Sequence, residues 1–187
     1  MSAVDPAGNV TPAMPIFQQL LGPAFATLPP SVQRLHLRMG KTTYTGDVGV
    51  ERGTGLLSRL CAWATRLPPG GHGPVFVVID ATPSEERWAR HIGGHAMRSR
   101  LWAADGLLHE RLGLVTFAFR LDVDAGRLTW HVARVRALGV PLPSRAFHGV
   151  SARESEVDGC YAFEVTAALP WIGQLVHYRG QLHVAPD

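Results

Sequence analysis

The sequence predicts an α+β protein: a strongly curved antiparallel β-meander of about eight to ten strands, carrying about two or three short helices. Three observations support this. Helical spacing of apolar residues is confined to the first third of the chain. From Val75 onward apolar and polar residues alternate, and turn signals recur roughly every dozen residues. Four turns, Gly93-Gly94, Asp105-Gly106, Ala125-Gly126 and Asp158-Gly159, set registers that agree on one apolar face.

Residues 1–15, MSAVDPAGNVTPAMP, lack the basic start and apolar run of a secretory signal. They read as a flexible tail, leaving 16–187 as one α+β domain. IFQQLL predicts a helix over Ile16 to Leu21, and a second helix follows the Pro29-Pro30 break with Ser31 as its cap. In TTYTGDVGVERG, Tyr44, Val48 and Val50 share one parity, the mark of a strand. Gly55 to Leu67 places Leu56, Leu57, Leu60, Cys61, Ala64 and Leu67 at helical spacing, and Pro68-Pro69-Gly70-Gly71 stops that helix. Its apolar stripe is expected to cover one face of the sheet rather than a membrane surface.

The composition narrows the function classes. Of the 187 residues 46 % are hydrophobic and 18 % charged, which excludes a disordered or fibrous chain. No apolar run approaches the roughly 20 residues of a membrane span, and a cytoplasmic location is expected. The formal charge of +3 comes from scattered arginines with no interleaved aromatic ladder, so nucleic acid is not an expected partner. No phosphate-cradling GxGxxG or GxxxxGK[ST] loop is present, and no cofactor is expected. Cys61 and Cys160 have no metal-ligand spacing and read as packing residues.

Register settles the role of RHIGGHAMRSR, residues 90–100. On a helix, His91 and His95 would share a face and form half a metal site. Across a Gly93-Gly94 hairpin, Ile92 faces His95 and His91 faces Ala96, so the two imidazoles point to opposite sides of the sheet and no metal is expected. The later turns pair Leu101 with Glu110, Phe119 with Val132, Phe117 with Arg134, and Glu154 with Phe163. In the last strand Val176, Tyr178, Leu182 and Val184 share a side.

The apolar face so defined carries Arg90, His95, Ser99, Glu110, Arg134, Glu154 and Tyr178, together with Phe117, Phe119, Trp130 and Phe163. A buried charge must pair, coordinate or reach water. Two readings follow: structural ion pairs Arg90–Glu110 and Arg134–Glu154, or a partly polar pocket lined by the aromatics. His95 beside a carboxylate has the makings of a base and its orienter. Ser99 is not in a GxSxG elbow, and no nucleophile motif accompanies these residues, so the sequence leans away from an enzyme.

The motifs FQQLLGPAFATLPPSVQRLH, VERGTGLLSRL, ERWARHIGGHAMRSRLW with GLLHERLG, GRLTWHVARVRALGVPLP, the Glu154 strand and ALPWIGQLVHYRGQL occur in that order. With them the chain resembles a bacterial family, domain of unknown function 4166, from end to end after the tail. Positions that fit the family's pattern include Trp88, Arg90, Ser99, Glu110, Gly113, Pro143, Glu154, Pro170, Tyr178 and Gly180. The resemblance implies a free-standing member of a family that also occurs behind Rossmann-type, saccharopine-dehydrogenase-like regions, and hence a Rossmann-type oxidoreductase as a partner. It brings no established activity.

The expected architecture is a half-barrel similar to lipocalin-like or helix-grip carriers. The expected function is non-enzymatic binding of a hydrophobic small molecule, with or without a carboxylate, such as a lipid or isoprenoid. Arg90 or Arg134 would meet an acid group and the aromatics a tail. The alternatives are an isomerase- or cyclase-type enzyme using His95 with Glu110 or Glu154, and an accessory subunit of a Rossmann-type oxidoreductase.

Overall fold

The structure is a computed structural model that describes residues 14–55, 58, 65 and 67–185. The expected tail 1–15 lies almost wholly outside the described residues, as do most of the expected helix Gly55 to Leu67 and Cys61.

Helix α1 (Ile16–Leu21), a 3-10 turn (Gly22–Thr27) and helix α2 (Pro30–Leu37) precede the strands. These are β1 (Gly40–Arg52), β2 (Gly71–Ala81), β3 (Glu86–Ile92), β4 (His95–Ala104), β5 (Leu107–Leu112), β6 (Val115–Asp124), β7 (Arg127–Ala137), β8 (Val140–Leu142), β9 (Gly149–Val157), β10 (Cys160–Leu169) and β11 (Gly173–His183). A second 3-10 turn, Ser144–Phe147, joins β8 to β9.

Among the described residues ten strands close a barrel, with β8 as a short extra strand beside β7. The expected half-barrel is therefore corrected to a closed one. Closure comes from β1 pairing antiparallel with β11, Thr45 opposite His183 through Arg52 opposite Val176. Alternation along each strand specifies a face but not which distant strand meets the first, so this contact left no local trace. Inward positions hold Val77, Met97, Leu101, Leu128 and Val176, all buried, whereas outward positions hold Arg87, Arg100, Asp122 and Arg153, all exposed. That is the inverse of the apolar-out pattern of a transmembrane barrel. No helix among the described residues is long and apolar enough to cross a membrane.

The expected registers hold at every turn but one. His91 faces Ala96 and Ile92 faces His95, Leu101 faces Glu110, and Glu154 faces Phe163. On β7, however, the register shifts: Phe119 still faces Val132, but Ala118 faces Arg134 and Phe117 faces Val135. Ala133 is the extra residue of a β-bulge, and everything beyond it on β7 changes side. There β7 also changes partner. It pairs with β9 over Leu128 to His131 and with β8 over Val135 to Ala137. The β7–β9 ladder ends at His131, and Phe147 of the 3-10 turn packs edge-on against Phe117.

The helices plug one end. Ile16, Phe17, Val32 and Leu35 are at most 2 % exposed against the barrel floor, where burying each such side chain contributes about 1.5–3 kcal/mol. Ser31 does not cap α2 as expected. The helix begins at Pro30, and its Ser31 N–H donates to Glu156 Oε2 at 2.8 Å, so a strand carboxylate satisfies the helix end. At the other end the turns after β3, β5, β7 and β10 surround a mouth. Gly180 is fixed by packing. An added Cβ at Gly180 would lie 2.3 Å from the Asp47 carbonyl oxygen and 2.7 Å from the Phe163 ring. Phe163 is its cross-strand partner and lies over the bare backbone.

Candidate functional site

The barrel encloses a cavity of about 440 Å3. Its wall runs from Leu67, Leu142, Phe147 and Leu169 near the mouth to Trp88, Glu154, Tyr161 and Leu182 above the helical plug. The lining is mostly apolar because one parity of each strand faces inward. Of the eleven sequence-predicted site residues, Arg90, Glu110, Phe117, Phe119, Trp130, Glu154, Phe163 and Tyr178 line this space. Ser99 is buried just behind it and accepts a 2.9 Å hydrogen bond from Arg90 Nη1.

His95 and Arg134 are not brought to the cavity. His95 opens β4 beside the Gly93-Gly94 turn, half-buried at the mouth end. Arg134 points outward because of the bulge, 63 % exposed and 3.5 Å from Asp105 Oδ2. The expected Arg134–Glu154 pair does not form, and Val135 takes the inward position.

The cavity charges are paired in two groups. Arg90 holds its guanidinium 4.6 Å over the Trp88 ring and 3.4 Å from Glu110 Oε1, as the register of β3, β4 and β5 expected. Tyr178 lies near both, and burial pushes its phenol up to about 12. The second group was not legible as such. His36 of α2 reaches into the barrel floor, stacks on Phe17 at 3.7 Å between ring centres, and places Nε2 at 2.6 Å from Glu154 Oε2. Tyr161 stands beside Glu154; burial raises its phenol well above the ordinary range, and the adjacent carboxylate adds to this. Glu86, 2 % exposed, accepts a 2.7 Å hydrogen bond from Trp88 Nε1. Burial raises its carboxyl above the usual range, opposed by the nearby His36.

His36 and Glu86 are the residues that sequence reasoning missed. His36 sits at helical spacing with Val32 and Leu35, so it could have been found as a polar residue on the apolar stripe of α2. Glu86 shares the inward parity of Trp88 and Arg90 and stands opposite Leu101, a signal present in the register but not followed to the strand's first residue.

Chemically, Glu154 presents a carboxyl to the cavity while His36 fixes it from behind, a carboxyl–imidazole arrangement able to hold or move one proton. The buried indole N–H of Trp130 has no hydrogen-bond acceptor among the described residues, and Trp130 also lines the cavity. Among the described residues no group of three or more His, Cys, Asp or Glu is placed to hold a metal ion. Cys160, expected as a packing residue, is half-exposed at the start of β10 with Sγ 3.7 Å from His183 Nδ1.

The sequence model of a family described as a domain of unknown function (DUF4166) matches residues 28–182, from the end of the first 3-10 turn to the penultimate residue of β11. No curated protein matches the chain.

Proposed function

The chain belongs to the family of domains of unknown function DUF4166, and from that premise we propose that it binds a hydrophobic small molecule inside the barrel. The observation that carries this reading is the apolar barrel cavity of about 440 Å3 with a few convergent polar groups, the usual composition of a small-molecule site.

The pairing of the interior charges bears on the ligand. Arg90 already has Glu110, and Glu154 already has His36. A carboxylated ligand would have to share the Arg90 guanidinium with Glu110, placing two buried carboxylates beside one cation, which is costly. An uncharged ligand fits better, since it leaves both buried pairs in place. Ligand uptake then needs no rearrangement of charge.

Native mass spectrometry of protein purified from its own host, with a denatured and extracted control, tests the reading. The expected result is a bound neutral apolar molecule. A complementary test adds a neutral environment-sensitive dye to the stripped protein and to Ala152→Trp. Ala152 lines the cavity, so the larger side chain should weaken dye binding by about tenfold or more. Equal dye binding by both proteins, or none by either, removes the proposal.

A second reading is favoured by one contact. Glu154 faces the cavity with His36 behind it, which suits proton transfer in an isomerase- or cyclase-type reaction better than the expected pairing with His95. In that case Glu154 is the catalytic residue and His36 a positioning residue. A docking role toward a Rossmann-type oxidoreductase rests on the resemblance alone, and the cavity adds nothing to it.

A further inference from the structure

The two ends of the barrel differ in chemistry. Each turn at the plugged end holds or adjoins an acid: Glu85, Asp105, Asp124 and Asp158. The mouth-end turns Gly93-Gly94, Gly113-Leu114 and Leu138-Gly139, with residues 143–148 and 170–172, contain none, and exposed Glu51, one residue from the end of β1, lies 3.7 Å from His177. Exposed Arg111, Arg136 and Arg145 stand on or beside them.

The same turns display apolar side chains. Trp171 is 98 % exposed, Leu138 75 % and Val140 61 %. Leu138 donates its N–H to the Leu114 carbonyl at 2.9 Å, which ties two of these turns together. Trp171 and Leu138 also hold left-handed backbone, with φ of +64° and +51°. Glycine or asparagine takes that conformation at lower cost, and bulky residues rarely do. A bulky apolar side chain that is both exposed and conformationally strained breaks two local rules without any gain in packing, which is the signature of a residue kept for function.

We propose that the mouth end docks on an anionic lipid bilayer. Trp171, Leu138 and Val140 enter the interface, and Arg136 and Arg145 meet lipid phosphates. The amphipathic indole suits the headgroup level, and arginines are drawn to a negative surface. Apolar tips carried on separate turns can each slip between lipids, whereas a protein partner would need a fitted pocket for each. The cavity opens between these same turns, lined there by Leu142, Phe147 and Leu169. A hydrophobic ligand would then pass between membrane and barrel without crossing water, a purpose that rests on the cavity reading, although the docking itself does not.

The test is co-sedimentation of the full chain with vesicles of phosphatidylcholine containing about 30 % phosphatidylglycerol, and with pure phosphatidylcholine. The parent should bind the mixed vesicles and bind pure phosphatidylcholine about tenfold more weakly. The double variant Trp171→Gly/Leu138→Gly should bind the mixed vesicles about tenfold more weakly than the parent. Its urea midpoint should match or exceed the parent's, because glycine relieves the positive φ. No binding to either vesicle, as expected if the patch serves a protein or nucleic acid instead, overturns the proposal. So does equal binding by parent and double variant. Uptake of a neutral dye in vesicle-free solution separates the two readings: if the parent takes up none, the cavity reading fails while the vesicle result stands.

Discussion

His36 Nε2 of α2 lies 2.6 Å from Glu154 Oε2 of β9, with both side chains at most 4 % exposed. This contact joins the helical plug to the cavity wall and gives the floor of the barrel its polar character. His36→Ala would leave Glu154 buried without that partner, which is expected to cost about 3–5 kcal/mol. His36→Gln, which keeps a side-chain N–H, should cost less. Urea unfolding of both variants measures the difference, and equal small losses would show that the contact holds little.

Glu86 sets a pH dependence of known sign. Burial raises its folded-state pKa above the ordinary 4.5, so the folded protein binds this proton more tightly than the unfolded chain. Stability from this group is present below 4.5 and lost as pH rises through the folded-state value. Glu86→Gln retains an acceptor for Trp88 Nε1 and should be the more stable protein at neutral pH, with a flatter profile. Urea midpoints measured across that range check this; parallel profiles for parent and variant would contradict it.

Tyr161 and Tyr178 should resist ionisation. All three, Tyr44, Tyr161 and Tyr178, are buried; Tyr178 is pushed up to about 12 and Tyr161 is raised well above 10.0. Their raised values contribute stability fully present below pH 10.0 and lost as pH climbs toward about 12. Absorbance titration near the tyrosinate band should therefore show ionisation of Tyr161 and Tyr178 only together with alkaline unfolding. A smooth titration of Tyr161 and Tyr178 in the folded protein would refute their burial.

The bulge at Ala133 has a mutational signature. Arg134 is exposed and Val135 is 2 % exposed. Arg134→Ala should change stability by no more than about 0.5 kcal/mol, whereas Val135→Ala should cost about 1–3 kcal/mol. The reverse order would restore the unbulged register, with Arg134 inside.

Much of the site was legible in the sequence. Arg90, Ser99 and Glu110 lie on three consecutive strands joined by two tight turns, so parity alone brings them together. Phe163, Glu154 and Tyr178 followed from the same rule. Arg134 failed because a single inserted residue reverses parity, and nothing in ALA-ARG-VAL at positions 133 to 135 marks the insertion. His95 opens β4 beside the Gly93-Gly94 turn, and the cavity wall does not include it.

By itself the sequence determined the meander, the pairing across four two-residue turns, and the inward parity of most strands, because each of these is written in a local period or in a tight turn. Only the tertiary structure decided that β1 meets β11 to close the barrel, that β7 changes partner at its bulge, and that α2 delivers His36 to Glu154. Those are contacts between segments far apart in the chain. Their energies depend on how complementary surfaces pack, and no local spacing encodes that.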